Sequence, residues 1–334
     1  MDQITLNHGS GGRATQDLIQ EIFIEEFDND ILRKKEDSAV LDTGEREKVF
    51  TTDSYVIRPV FFPGGNLGKL SLTGTMNDLA VMGAKPKWIS CGVIIREGYK
   101  ISDLKKIVHS MAETAKNQDV KVVTGDTKVV EQSSCDGIFI NTSGIGRLLK
   151  EAIHSDKSIE TGDIVLVNGY IGDHAAALIS ARQDFKINID INSDCVSLYP
   201  LIKELVNNIK GVKFIRDITR GGLATILNEL VQNKEAGIEL EKNKIPIRDK
   251  VVGLCEPLGY NPLYFANEGK FALIVKPEEA QRALKIMQQH PLGKNSAIIG
   301  QVKKEPKGEV SLRTEIGSTR IIGMLDKEII PRIC

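Results

Sequence analysis

The chain has 334 residues, 41% hydrophobic and 27% charged, with a formal net charge of −1. This is ordinary globular composition and enough length for two domains; the near-neutral balance, without a long basic block, argues against nucleic acid or an anionic membrane as the main partner. No apolar run approaches the ~20 residues of a membrane span, and the opening MDQITLNHGSGGRATQ lacks the charged-then-apolar layout of a secretion signal, so a cytoplasmic location is expected.

In chain order, a glycine-rich arm (NHGSGGRA) precedes TQDLIQEIFIEEF, where Leu18, Ile22 and Phe23 fall at helical spacing. SAVLD and KVFTTDSYVI read as strands. NLGKLSLTGTMNDLAVMGAKP reads as a helix ended by Pro86, and KWISCGVIIREG as a strand. SDLKKIVHSMAETAKNQ predicts an amphipathic helix capped by Ser102, with Leu104, Val108, Met111 and Ala115 inward. VKVVTGD and GIFINTSGIGRL are further strands. Around EAIHSDKSIETGD the chain turns polar and a second unit begins: strand DIVLVNGYIG, helix DHAAALISARQ, and helix SLYPLIKELVNNI with Leu201, Ile202, Leu205 and Ile209 on one side. VKFIRDITRGGLATILNELVQNKEAG is strand, turn and helix; KFALIVK, EEAQRALKIMQQH, SAIIGQVKK, EVSLRT and STRIIGML complete the unit. After Leu325 no packing pattern remains, and such ends are usually loose.

The five cysteines, Cys91, Cys135, Cys195, Cys255 and Cys334, are widely spaced with no C-x-x-C, which argues against a zinc site and against a disulfide framework. Cys334, in KEIIPRIC, is the one whose place packing does not explain, and it is not a prenylation signal, which needs its cysteine fourth from the end.

Several acidic residues are expected at strand ends or helix starts beside Gly, Ser or Thr: Asp37, Asp53, Asp78, Asp126 and Asp217. Converging carboxylates repel unless cations bridge them, and Mg²⁺ commonly joins carboxylates to nucleotide phosphates. The competing reading is that each hydrogen-bonds its own turn. Gly221 and Gly222 open a helix whose free N–H groups attract anions, and Gly9, Gly11 and Gly12 with Arg13 form a second glycine-rich site beside His8. No G-x-x-x-x-G-K-[ST] and no G-x-G-x-x-G after a first strand occurs, so ATP would be bound by an unrelated design. Lys128, after TGDT, and Glu268, in FANEGKFAL, are either surface charges or site groups.

Taken together, NHGSGGR, TTDSYVI, FFPGGNLGKLSLTGTMNDLAVMGAKPKWISCG, MAETAK, VTGDTKVV, INTSGIG, RDITRGGLAT, NEGKF and the closing PRIC run nearly end to end. On these stretches the chain resembles the HypE family of hydrogenase maturation proteins, carbamoyl dehydratases of the PurM-like (aminoimidazole ribonucleotide synthetase) ATP-binding superfamily. The resemblance implies an α+β, PurM-like two-domain fold. Residues 1–155 would be an N-terminal α/β domain with a dimerising sheet, 156–325 an α+β C-terminal domain, and 326–334 a mobile tail carrying Cys334. It implies ATP and Mg²⁺ as cofactors, with Asp37, Asp78, Asp126 and Asp217 on the metal. Gly11, Gly12, Asp53, Asp78, Asp126, Thr127, Asp217, Gly221 and Gly222 would contact the nucleotide. Many relatives read Asp-Asp where this chain has Glu36-Asp37, and Asp37 is taken as the ligand.

The family's chemistry implies that HypF carbamoylates the terminal cysteine and that the chain dehydrates the S-carbamoyl group to a thiocyanate with ATP. This supplies a cyanide ligand for [NiFe]-hydrogenase iron through the HypC–HypD complex. Cys334, Glu268 and Lys128 would be catalytic, with the division of proton transfer between the last two open. An extended segment from Gly323 to Cys334 would reach about 35 Å at ~3.3 Å per residue. Two alternatives remain: another superfamily enzyme, such as a selenophosphate synthetase, thiamine-monophosphate kinase or purine-pathway synthetase, or a scaffold that docks maturation factors through PRIC.

Overall fold

The structure is a computed structural model that describes residues 12–24, 30–41, 47–150, 153, 159–182, 187, 189–325, 329–330 and 332–334. Gly11, His8 and Gly9 lie outside the described residues, as do the side chains of Leu18, Ile22 and Phe23.

A five-stranded sheet, ordered β1-β2-β7-β5-β6, organises the first half. Its strands are β1 (Ala39–Leu41), β2 (Lys48–Tyr55), β5 (Ala84–Arg96), β6 (Lys121–Val130) and β7 (Ile138–Leu148), with a short hairpin of β3 (Phe61–Phe62) and β4 (Gly65–Asn66) beside it. After the short α1 (Arg13–Leu18), two helices cover this half: α2 (Leu67–Val81) and α3 (Ile101–Asn117). Asn66 caps α2, its Oδ1 accepting from the N–H groups of Gly68 and Lys69 at 2.9 and 3.1 Å. Nearly all of α2 is buried because it lies between the sheet and the second half of the chain. Two expectations change here. Pro86 lies inside β5; the helix ends at the left-handed Gly83 turn (φ 80°). Ser102 sits within α3 and Lys100 precedes it without a side-chain cap, while Ile107, Met111 and Ala115 face inward and Val108 is exposed. A 3.6-residue repeat fixes a helix but leaves its rotation open by about one position when apolar residues crowd both sides.

The second half is a mixed seven-stranded sheet, β14-β13-β10-β12-β8-β11-β9. The strands are β8 (Ile164–Val167), β9 (Val212–Asp217), β10 (Gly237–Glu241), β11 (Phe271–Val275), β12 (Ala297–Lys303), β13 (Val310–Arg313) and β14 (Thr319–Ile322). Only β10 and β13 run parallel. β11 reads FALIV and is buried along its length because helices cover both faces. Ala272 and Ile274 meet α6 (Gly222–Val231), whereas Phe271, Leu273 and Val275 meet α5 (Tyr199–Asn208) and α8 (Pro277–Gln289). β10 and α7 (Asp249–Leu258) were not legible in the sequence: the first is a short strand without clean alternation, and the second carries Pro257 within its last turn.

α4 (Asp173–Ala181) joins the first core with Ala175 through Ile179. The tail joins the same core. Where the sequence pattern left the chain loose after Leu325, Ile330 and Ile333 are buried and Ile329 and Cys334 pack beside them. Arg332 and Cys334 pair antiparallel with the chain just beyond β2: Val56 N–H donates to the Cys334 carbonyl at 3.0 Å and Arg58 N–H to that of Arg332 at 3.2 Å. Three isoleucines, Ile329, Ile330 and Ile333, supply apolar area that a short polar-start segment did not advertise.

Candidate functional site

Between the two halves, four elements deliver carboxylates to one place. Asp37 precedes β1, Asp53 lies on β2, Asp78 is in the last turn of α2, and Asp217 ends β9. Asp217 at the end of β9 and Asp37 just ahead of β1 therefore sit at strand ends as expected; Asp53 is within its strand and Asp78 near a helix end. Glu268, in the loop before β11, is the fifth member: its charge and those of Asp53 and Asp217 act on one another.

The cluster is held by neighbours that satisfy some oxygens and leave others bare. Tyr55 Oη donates to Asp53 Oδ2 at 2.9 Å, and Thr51 Oγ1 lies 2.8 Å from Asp78 Oδ2 and 3.0 Å from the Asp37 carbonyl. Arg216, buried beside Asp217, donates to Asp37 Oδ2 and Glu229 Oε2, each at 2.9 Å. Asp217 Oδ2 and Glu268 Oε1 are buried and have no hydrogen-bond partner among the described residues. Buried polar atoms are rarely left so, and two such carboxylate oxygens in one cleft are sockets for something that binds oxygen.

Electrostatics agree. Burial pushes Asp78 well above the ordinary carboxylate range, and Asp53, Asp217 and Asp37 push it further. Burial does the same to Asp217, reinforced by Asp37 and Asp53, and to Glu268, reinforced by Asp194, Asp217 and Asp53. Asp53 is raised by burial, with the Tyr55 hydroxyl pulling it partly back. Burial opposes charge on Arg216 too, but Asp37 and Glu229 outweigh it and raise that guanidinium.

These shifts fix a sign. A carboxyl whose folded pKa is raised binds more protons folded than unfolded, so its contribution is full below its unfolded pKa and is lost as pH rises through the folded value. His174, lowered by burial, works the other way and costs stability below its ordinary 6.5. Above about pH 6.5 the His174 contribution is spent, and the melting temperature of the nucleotide-free protein is expected to fall as pH rises through the raised carboxyl pKa values. Magnesium and ATP together should flatten that fall; an unchanged slope in calorimetric scans would count against a cation in the cluster.

The donor chemistry fits a hard cation: oxygen ligands only, like charges held together, and bare buried oxygens. No three Asp, Glu, His or Cys groups among the described residues already stand at metal-holding spacing, so no cage is preformed. Asp37, Asp78 and Asp217 are the expected metal residues that come together. Asp126 does not join them: it stands on β6 in a 3.1 Å ion pair with Lys128, both two-thirds exposed, with Thr127 exposed between them.

Beside the cluster, Gly221 and Gly222 adopt left-handed backbone (φ 83° and 67°) and open α6 as expected. A Cβ on Gly222 would collide with the Leu263 carbonyl, so the tight turn into the helix needs glycine. A cavity of about 350 Å³ lies here, lined by Asp37, Asp217, Thr219 and Arg220 among others. Gly12 packs against the Leu325 carbonyl at the base of the tail, which runs over Arg220, Gly221 and Ala266.

Sequence reasoning missed Arg216, Tyr55, Asn77, Asp194 and His174. Arg216 and Tyr55 lay beside flagged aspartates, and that adjacency was the available signal. Asp194 and His174 sit in stretches without any motif and act through contacts distant in sequence.

Residues 35–148 match the family model described as AIR synthase related protein, N-terminal domain, and residues 160–313 match its C-terminal domain. A carbamoyl dehydratase HypE of Rhodobacter capsulatus is 44% identical over 337 residues, covering 100% of this chain and 98% of that protein. The crystal structure of a HypE–HypF complex matches with a TM-score of 0.87 at 44% identity, over 92% of this chain and 99% of that one. A HypE crystallised in complex with ATP matches at 0.82 and 40% identity, over 99% and 100%. With an acidic interdomain cleft and PurM-like halves that match end to end, the chain belongs to the HypE family of carbamoyl dehydratases.

Proposed function

We propose that the chain dehydrates an S-carbamoyl group on its own Cys334 to a thiocyanate, consuming ATP, and so prepares a cyanide ligand for [NiFe]-hydrogenase iron. The observation that carries this reading is the tail itself: Cys334 is docked against the chain just beyond β2, and Ile333 lines a pocket with Arg220 and Gly221, of which Arg220 also lines the cavity of Asp37 and Asp217. The relatives add carbamoyl dehydration, ATP and HypF as partner.

The amide oxygen of Cys334–S–C(=O)NH₂ is a poor leaving group. Transfer of the γ-phosphoryl group of ATP to that oxygen, with loss of one N–H proton, gives an iminophosphate and ADP. Removal of the second N–H proton forms C≡N and expels phosphate, so the amide oxygen leaves as phosphate oxygen and no water is released. Glu268, with its bare oxygen and raised affinity for protons, receives an N–H proton and passes it to the departing phosphate. The α6 N-terminus at Gly221–Gly222 holds phosphate oxygens, and Gly12 would contact the nucleotide, as would Gly11, which lies outside the described residues. Asp37, Asp53, Asp78 and Asp217 would hold Mg²⁺, which offsets charge on the transferred group.

Asp126, Thr127 and Lys128 fit this site through a second copy. β6 is an edge strand exposed on both faces, with Val122, Val123 and Val129 open beside Trp88 and Ile94. Such an edge calls for a partner. A two-fold homodimer would cover it and deliver Asp126–Lys128 to the partner's cleft. Mixing Asp126→Ala chains with Glu268→Gln chains, each inactive alone, is then expected to restore about a quarter of full activity, since half the dimers are mixed and each has one complete site. No recovery after subunit exchange would overturn delivery across the dimer.

Delivery of the cyanide to a HypC–HypD iron carrier follows from the family's chemistry. A scaffold would bind the same partners without turnover. ADP formation that needs HypF, carbamoyl phosphate and Cys334 together separates the two; equal ADP formation by Cys334→Ala would sink the proposal.

A further inference from the structure

The strap from Ser193 to Leu198 reaches the tail through His174 and touches the loop of Glu268 directly, and no motif marked it. Ser193 Oγ lies 2.7 Å from His174 Nδ1, and His174 Nε2 lies 2.8 Å from the Ile333 carbonyl. A carbonyl only accepts, so Nε2 carries the proton and Nδ1 accepts from the Ser193 hydroxyl. Ser193 Oγ in turn accepts from Cys195 N–H at 3.1 Å. His174 is fully buried and this arrangement satisfies both ring nitrogens. The next residue faces the other way. Asp194 Oδ1 accepts from Glu268 N–H at 2.9 Å, and Oδ2 accepts from Gly269 N–H at 3.2 Å and from Lys270 Nζ at 3.0 Å. A Cβ on Gly269 would overlap the Asp194 carbonyl, so the two backbones are pressed together. Asn77, one residue before Asp78, bonds the carbonyls of Val196 and Glu268 and accepts from Leu198 N–H.

We propose that Ser193 and Asp194 are positioning residues: Ser193, through His174, sets the depth of the Cys334 segment, and Asp194 sets the backbone of Glu268, so one strap fixes carrier and base relative to each other. This rests on Cys334 as carrier and Glu268 as base. Holding two reacting groups from a single rigid piece removes the freedom that otherwise slows their encounter. Neither residue touches the reacting atoms.

Two readouts test it on the full chain. Alkylation of Cys334 by iodoacetamide, followed on the C-terminal peptide, needs no turnover. His174→Ala and Ser193→Ala are expected to speed it by roughly five- to tenfold, the scale of one buried hydrogen bond. His174→Gln keeps an N–H donor at the Nε2 position and should restore the parent rate, which relief of packing alone would not. For the second readout, Asp194→Asn and Ser193→Ala should slow single-turnover thiocyanate formation by about tenfold at unchanged ATP affinity. Unaltered alkylation in both alanine variants, or a full chemical rate in Asp194→Asn, overturns the inference while leaving the dehydration reading intact. Absence of thiocyanate from the unsubstituted chain takes down that reading and this inference with it. Should Asp194→Asn not fold, the alkylation comparison decides alone.

Discussion

Glu268→Gln is expected to lower the single-turnover rate of thiocyanate formation by about 10²- to 10⁴-fold, the usual contribution of a positioned general base. The substitution keeps shape and hydrogen-bonding reach and removes only the proton acceptor. The residue is 3% exposed, and one of its carboxylate oxygens has no partner among the described residues. Its backbone is held from three sides, by Asn77, Val196 and Asp194, so the variant should keep its fold and bind ATP. Carbamoylated chain should accumulate and persist. Glu268 also carries the property a base for a weak acid needs: burial and the neighbouring Asp194, Asp217 and Asp53 hold its carboxyl well above the usual range. Full thiocyanate formation by Glu268→Gln would remove it from the mechanism and leave Lys128 as the next group to test.

Asp217→Asn should act in opposite directions on stability and on activity. In the nucleotide-free protein the amide relieves a buried charge that Asp37 and Asp53 disfavour, so the melting temperature is expected to rise, by roughly 2–4 °C for each kcal/mol gained. Activity should fall by about 10²- to 10³-fold, as when one preorganised charge contact is lost at a site of developing charge. Arg216 must keep its partners for this to hold, and it does: its bonds go to Asp37, Glu229 and the Lys35 carbonyl rather than to Asp217. The crossed outcome, a less stable variant with normal activity, would mean that Asp217 is a structural carboxylate. A site that binds a cation stores repulsion when empty, and this pair of measurements reads that storage directly.

The sequence carried much of this site, and for identifiable reasons. Strands such as FALIV and FTTDSYV are short and dense in β-branched and aromatic residues, so their period and ends are visible. Gly221–Gly222 marked the start of α6 because only glycine suits that turn. Asp37, Asp53, Asp78 and Asp217 were visible as carboxylates among small residues, but local spacing placed two of them wrongly: Asp78 is at a helix end, where tertiary packing and not the turn sets its direction. Asp126 and Lys128 show the other limit. Motif likeness grouped them with the cluster, yet one chain keeps them on an open edge. The strap at Ser193–Asp194 was invisible because its partners, His174 and Glu268, are 19 and 74 residues away and share no pattern with it. Docking of the tail was missed because its isoleucines count as core only once a groove exists to receive them.

The most direct test of the account is the intact mass of the chain after HypF, carbamoyl phosphate, magnesium and ATP, with the modified peptide located. The account predicts a carbamoyl adduct without hydrolysable nucleotide and, with it, a species lighter by the mass of one water, both confined to the peptide ending in Cys334. A carbamoyl adduct that keeps its mass while ATP is consumed, or a dehydrated group on any other residue, would contradict it.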